Sequence, residues 1–574
     1  MTSITRRAAL TSGLAIGAAS CATAPKMTPY VAVSEAATGV FSHGVASGDP
    51  AATSVVLWTR ISPAEDGSRA LVHWEIAGDE TFAAIVGSGE ATTGLSRDWT
   101  VKALADGLTP GATYYYRFRI GEAVSPVGRT KTLPEGAVDK ARFAVMSCSN
   151  YPFGYFNVYD LVARQDDLDA VIHLGDYIYE YGRDGYGGDA GAALGRPHEP
   201  ANECVTLSDY RLRHAQYKAD PASRAMHARH PLIAIWDDHE TSNDSWKGGA
   251  QNHDPESEGD WEARRRAALQ AYYEWMPVRE PDMTPEAFFR SFSYGDLLTI
   301  AALETRLMAR AQQFEYSDAI STLQTQEDID RFKDQILWDE TREMLGAAQI
   351  DYFDRTLRAS VAAGQPWRLI ANQVIMAKMI SPDLTPHVTE EDIAALEQQW
   401  DQARAFVKSS TLGLPVNLDA WDGYPAARER FYDMVRDAGA KGMIVVTGDT
   451  HTWWANDLVD RSGGHMGVEL GAHSVTSPSP YRNEFLDGKG AEYALLTNRE
   501  NKDIRFISGE YHGFIDLTIT REAARAEYTA VDTIESGNYN AFTRAAFDVA
   551  KMGDSAQFVD ADWLGFKEGY LFNR

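Results

Sequence analysis

Five apolar stretches of the chain end on side chains able to hold cations. "RFAVMSCSN" closes on Ser147, Cys148 and Asn150, "LDAVIHLGDYIYE" on Asp176 and Tyr179, and "HPLIAIWDDHE" on Asp237, Asp238, His239 and Glu240. "WRLIANQVIMA" supplies Asn372, and "KGMIVVTGDTH" supplies Asp449 and His451. A lone aspartate at a strand end is ordinarily a cap or turn residue. Five such endings brought together would gather thiol, phenol, imidazole, carboxylate and amide in one place, a donor set that holds two adjacent cations with one carboxylate bridging them. Phenolate and thiolate favour a strongly polarising ion such as Fe3+, whereas an oxygen-rich neighbouring position suits Ca2+, with Mn2+, Mg2+ or Zn2+ as substitutes. Such a pair binds a phosphoryl oxygen, generates hydroxide from water near neutral pH and stabilises a leaving alkoxide, so phosphoester hydrolysis is the chemistry to expect.

Elements with suitable ends must position these groups. From about residue 140 to 535 apolar strands alternate with helical stretches such as "YFNVYDLVARQ" and "WEARRRAALQAYYEWM", the pattern of an α/β, αββα-layered catalytic domain. Residues 38–135 read instead as short alternating strands separated by Gly, Pro and Asp turns, a small all-β sandwich of the fibronectin or immunoglobulin type. Within it "GLTPGATYYYRF" spaces Leu108, Pro110 and Tyr114 as in a tyrosine corner. Residues 540–574 are expected to form a helical tail packed on the catalytic domain. At 574 residues the chain exceeds the size at which one core stops growing, in keeping with this division.

The first 30 residues, with Arg6 and Arg7 ahead of a short Ala- and Gly-rich stretch, read as a twin-arginine export signal. The expectation is an exported, periplasmic or extracellular protein that uses the twin-arginine machinery and keeps no transmembrane segment once mature; lipidation at Cys21 is the alternative. That route moves folded proteins, which suits a metal loaded beforehand. Cys148 and Cys204 remain after the signal, and an exported protein can join such a pair as a disulfide. The balance of 54 Lys+Arg against 82 Asp+Glu, net −28, argues against a nucleic-acid or anionic-membrane partner bound by bulk charge.

"SCSN", "GDYIYE", "DYRLRHAQYKADP", "WDDHETSND", "ANQVIMA" and "TGDTHTWW", in this order, resemble the PhoD-like alkaline phosphatase D family. That resemblance implies an N-terminal all-β domain, a metallophosphoesterase-like catalytic domain, Fe3+ and Ca2+ in the site, and a small-molecule phosphoester substrate. It makes Asp176 the bridging carboxylate and Tyr179 a phenolate ligand, with Cys148 and His451 on the iron side. Asp238, Asp449 and Asn372 fall to the calcium side, His239 becomes an acid or phosphate contact, and Arg211 a phosphate clamp. Trp453 and Trp454 follow the last motif as either rim or core, and His473 and His512 stay outside the ligand set. Asn243 and Asp244 depart from the paired asparagines of many relatives. Loops at about 312–343 and 381–422 are expected to shape the mouth and carry specificity. Two other readings stay open: a non-catalytic, metal-dependent phosphate or glycan receptor, and a phospholipase D-like diesterase.

Overall fold

The computed structural model describes residues 40–559 except 63–68, 281–287, 320, 399–402 and 483–488. The stretch expected to be an export signal, Cys21 included, lies outside the described residues. Successive side chains of a strand point to opposite faces. In Lys140–Met146, Phe143 and Val145 enter one buried cluster while Ala144 and Met146 enter another. Met443–Thr447 divides likewise, Ile444 and Val446 to the first cluster and Met443 and Val445 to a third. Both strands are apolar without interruption because both of their faces are covered.

These strands belong to two sheets packed over a shared core of residues such as Phe143, Ile172, Ile300 and Leu369. The larger sheet has the order Ser555–Phe558, Ala541–Met552, Ala523–Val531, Gly513–Thr520, Lys140–Met146, Ala170–His173, Pro231–Ala234, Val45–Gly48, Val55–Arg60, Thr100–Ala105. Its central neighbours Lys140–Met146, Ala170–His173 and Pro231–Ala234 are parallel. The other sheet has the order Arg290–Tyr294, Leu298–Ala302, Trp367–Ala371, Met443–Thr447, His465–Gly471, Trp453–Val459, Ile504–Ser508, and Leu298–Ala302, Trp367–Ala371 and Met443–Thr447 run parallel. Helices Asn157–Ala163, Leu207–Ala219, Pro221–Arg229 and Trp261–Trp275 cover the larger sheet. Ala347–Ala362 and Pro425–Asp437 cover the smaller. The layers are αββα.

The all-β N-terminal domain is present with one difference from the sequence reading. Its strands Val45–Gly48, Val55–Arg60 and Thr100–Ala105 extend the catalytic sheet, because Val45–Gly48 pairs in parallel with Pro231–Ala234. The second layer, built on Ala70–Ala77 and Thr113–Ile120, closes over them around Val55, Leu57, Val72 and Tyr116. Tyr114 Oη accepts the Thr109 N–H at 2.8 Å, which completes the tyrosine corner.

The expected helical tail is corrected outright over its described part. Ala541–Met552 and Ser555–Phe558 are the last two strands at one end of the larger sheet, Ser555–Phe558 at its edge. Every second residue, Ala545, Phe547 and Val549, is buried, and that period of two outweighs the alanine content that suggested a helix.

Candidate metal centre

The parallel strands of both sheets release their loops at the same end of the core. A lone bridge between Ser147 and Ser474 ties the two sheets there. The Cys148 N–H donates to Gly175 O at 3.2 Å and the Ser149 N–H to Asp176 O at 2.9 Å, which locks the first two loops together. Glu240 staples the third to the second, its carboxylate accepting the N–H groups of Asp176 (3.1 Å), Tyr177 (2.6 Å) and Asp237 (2.8 Å). Cys148, Asp176, Asp449 and His451 all hold positive φ, between 52° and 62°. Non-glycine residues reach that region rarely and at a cost, and such residues cluster at functional sites.

Three overlapping sets of side chains have ligand atoms within 4.8 Å of one another: Cys148, Asp176 and His451; Asp176, Asp238 and His239; Asp237, Asp238 and Asp449. Tyr179 Oη lies 3.0 Å from both Asp176 Oδ2 and His451 Nε2. His451 Nδ1 is 3.0 Å from Pro478 O, a partner that can only accept, so Nδ1 carries the proton and Nε2 presents its lone pair to the cluster. His239 Nδ1 sits 2.8 Å from Glu180 Oε2, its ring stacks on Tyr179 at 4.2 Å, and the Asn243 N–H fixes the other Glu180 oxygen at 2.7 Å.

The residues present fit bound cations. Asp176 Oδ1, Asp237 Oδ2, Asp238 Oδ1 and both amide atoms of Asn150 are buried without a hydrogen-bond partner, and buried polar atoms of native proteins are seldom left so. Burial and neighbouring acids push Asp176, Asp449 and Asp244 well above the usual carboxylate range, and Asp237 to about 6. Burial raises the Cys148 thiol and the Tyr179 phenol as well. Asp238 goes the other way: burial opposes its charge, but the nearby Arg306 and His239 charges override it and hold the carboxyl below its usual value. Burial takes His451 down to about 3, keeping the imidazole neutral as a ligand must be. Buried acid exceeds the positive charge nearby, and bound cations would reverse these penalties.

Two arginines escaped the sequence reading. Arg306, in the loop after Leu298–Ala302, is fully buried and spans four carboxylates. It donates to Asp237, to both oxygens of Asp419 (2.9 and 2.7 Å) and to Asp449 (3.2 Å). Its only sequence signal is a cationic residue just past an apolar strand. Arg213, on the inner face of Leu207–Ala219, donates to Tyr179 O and to Tyr181 O (2.8 Å), gripping the backbone that carries the phenol.

Other expectations need correction. Arg211 faces away from the cluster: its guanidinium is paired with Glu274 by two bonds of 2.7 Å and with Ser96 O at 2.8 Å, so it braces a helix and does not clamp phosphate. Asn372 stands at its strand end, but its amide donates to Val374 O and accepts from Trp421 Nε1 at 3.3 Å, a loop-building role. Cys148 and Cys204 are free thiols and not a disulfide. His473 and His512, as expected, stay outside the three sets and meet at Ser474. Trp453 and Trp454 are both buried in the core, although Trp454 also lines a cavity.

Two cavities open beside the cluster. One of about 300 Å3 reaches Asp449 and His451, and one of about 200 Å3 reaches Asp244 and Asp419. Phe314, Glu315 and Tyr316, with Phe406, Val416 and Asn417, contribute to their walls. Both segments expected at the mouth are therefore there.

Face-to-face sheets whose parallel strands deliver thiol, phenol, imidazole and carboxylates to one end make a metallophosphoesterase-like domain. The family model for PhoD-like phosphatase matches residues 143–528, and that for the PhoD-like phosphatase N-terminal domain matches 23–134. Alkaline phosphatase D of Bacillus subtilis (strain 168) is 35% identical over 563 residues, covering 94% of this chain and 84% of the relative. The solved structure of PhoD matches with a TM-score of 0.72 at 32% identity, over 91% of this chain and 93% of that one. The chain belongs to the PhoD-like phosphatase family and hydrolyses phosphoesters. Among the described residues no helix is long and apolar enough to cross a membrane.

Proposed function

We propose that this phosphatase is an exported, metal-dependent hydrolase with an Fe3+ site beside one or more Ca2+ sites, acting on small phosphate mono- or diesters. One observation carries the reading: Asp176 belongs to two of the three ligand sets and Asp238 to two, so neighbouring sets share a carboxylate, the arrangement adjacent cations require. Cys148, Tyr179 and His451 suit the harder, more polarising ion, and Asp238, Asp449 and Asp237 the oxygen-seeking one, with Asp176 between them. Asn150, with its orphaned amide, is a better further oxygen donor than Asn372. Cations held there would supply Lewis acidity toward phosphoryl oxygen, water and the leaving oxygen. The protein's own contribution is orientation and a proton. His239 is held through Nδ1 by Glu180 and leaves Nε2 for the leaving oxygen; burial lowers its pKa while Asp238, Glu180 and Asp176 raise it, and Glu180, in none of the ligand sets, is the acid that goes on favouring the imidazolium once cations take up the other two. Arg6 and Arg7 support twin-arginine export.

The test is hydrolysis of p-nitrophenyl phosphate and bis-p-nitrophenyl phosphate by protein of known metal content, before and after chelation. Turnover lost with the metals and regained on adding them back is the expected result, and the preferred ester separates monoesterase from diesterase. Unchanged turnover by fully stripped protein would refute the metal-dependent reading. Bound metal with no turnover of either ester would favour the receptor.

A further inference from the structure

The cavity beside Asp449 and His451 has a chemistry of its own. Its volume of about 300 Å3 lies at the lower end for small-molecule sites, about 300 to 1,000 Å3, and suits a group the size of one or two rings. Its walls include a run of touching aromatic side chains. Phe406 meets Tyr493 edge-on at 6.0 Å, Tyr493 stacks on Tyr481 at 4.8 Å, and Tyr481 meets Trp454 edge-on at 5.5 Å. Trp454, Tyr481 and Tyr493 are 1%, 4% and 3% exposed, so the core fixes these rings before anything binds, and a preorganised wall loses little freedom on binding. Trp454 gives its indole N–H to Thr450 Oγ1 at 2.9 Å, which leaves no unmet donor on that ring. Met379 and Val416 add aliphatic surface. Aromatic walls of this kind favour a planar apolar guest by area and by edge-to-face contact.

The cavity is continuous with the cluster, because Asp449 and His451 line it. It is one of the two cavities beside the cluster, and the one with the aromatic wall, into which the organic substituent of an ester can extend when its phosphoryl group lies against the cluster. We infer that the cavity receives the leaving group of the phosphoester and selects esters of aromatic-ring alcohols; this rests on the proposed metal-dependent hydrolysis at the cluster. In that reaction the oxygen of water bonds to phosphorus, the bond from phosphorus to the ester oxygen breaks, and a proton from water ends on the departing alcohol. No oxidant or further reactant is needed.

The experiment compares ethyl phosphate with 2-phenylethyl phosphate on the metal-loaded full chain. Both lose a primary alkoxide, so intrinsic reactivity is matched and the ring is the difference. The ring ester is expected to show a kcat/KM higher by about tenfold or more, the discrimination a shaped apolar pocket gives. Val416→Trp, which fills the cavity, should bring the ratio towards one, while Val416→Ala keeps the preference and guards against a folding artefact. A ratio under about twofold in the unaltered protein, or one that Val416→Trp leaves in place, overturns the inference. Calorimetric binding of 2-phenylethylphosphonate and ethylphosphonate gives a readout free of turnover. Ring preference without hydrolysis supports the cavity and sinks the hydrolytic reading; hydrolysis without ring preference sinks the cavity alone; equal binding and no hydrolysis overturns both.

Discussion

Glu180→Gln tests the proton-donor role of His239 without removing a ligand atom, because Glu180 holds His239 and is itself in none of the three ligand sets; metal content is measured alongside because His239 is in one of them. Glu180 is fully buried and accepts two bonds, from His239 Nδ1 at 2.8 Å and the Asn243 N–H at 2.7 Å. A glutamine oxygen can still take the Asn243 N–H, but its NH2 group then faces the Nδ1 proton of His239, and two donors cannot bond. The lost charge-assisted hydrogen bond is worth about 1.5–3 kcal/mol, and losing it lowers the His239 pKa. The sign follows from the working form. Imidazolium donates the proton, it is present below its pKa, and Glu180 with Asp238 and Asp176 raises that pKa. The variant should therefore lose activity first on the alkaline side. Removing a general acid outright costs about 10²–10⁴ in rate; a variant that keeps His239 but loses its holder should lose up to that much, and only on esters that need the proton. Alkyl phosphates test this against p-nitrophenyl phosphate, whose leaving group departs unprotonated. The expected result is a large loss of kcat on the alkyl ester, a small loss on the nitrophenyl ester, an alkaline limb moved to lower pH, and unchanged metal content. Equal losses on both esters with an unmoved limb would refute the role given to His239 and Glu180.

Arg306→Met leaves the carboxylates of Asp237, Asp238, Asp419 and Asp449 without their shared cation; breaking a buried pair costs about 3–5 kcal/mol. The loss should be greater in chelated protein than in metal-loaded protein, because the metals carry part of the same neutralisation, and thermal unfolding with and without chelator checks it; equal losses would refute the shared balance. Arg211→Ala should leave kcat/KM within about twofold while lowering stability by about 1–3 kcal/mol, the worth of hydrogen bonds to a charged group. A collapse of kcat/KM at unchanged stability would restore Arg211 as a phosphate clamp.

How far the site could be read from sequence depended on what kind of pattern each residue sits in. Cys148, Asp176, Asp238, Asp449 and His451 were legible because buried strands are near-continuous apolar runs and their ends are marked, so unusual donor types there stand out. Arg211 misled because motif membership says nothing about helical face. On Leu207–Ala219 the buried side is Tyr210, Arg213, His214, Tyr217 and Lys218, and the period of 3.6 puts Arg213 inward and Arg211 off that face. The continuity of Val45–Gly48 with Pro231–Ala234 was not legible at all, because pairing between strands distant in sequence leaves no local pattern.

Arg306 was missed for a deeper reason. Ligand chemistry is written in residue types, whereas charge balance is written in distances, and only the fold brings Asp237, Asp419 and Asp449 within bonding reach of one guanidinium. Without that cation, the carboxylates at the strand ends would meet in a buried space with little but His239 and incoming metals to oppose their repulsion. Arg306 can thus hold the acidic loops together before metal arrives, yet it is tied to Asp449 by a bond of only 3.2 Å and to Asp238 at 3.6 Å. Those are two of the three carboxylates proposed for the oxygen-seeking cation. The firmer bonds go to Asp419, which is in none of the ligand sets, and to Oδ1 of Asp237, whose Oδ2 is left without a partner, so the arginine anchors the loops while leaving ligand oxygens open to the metal.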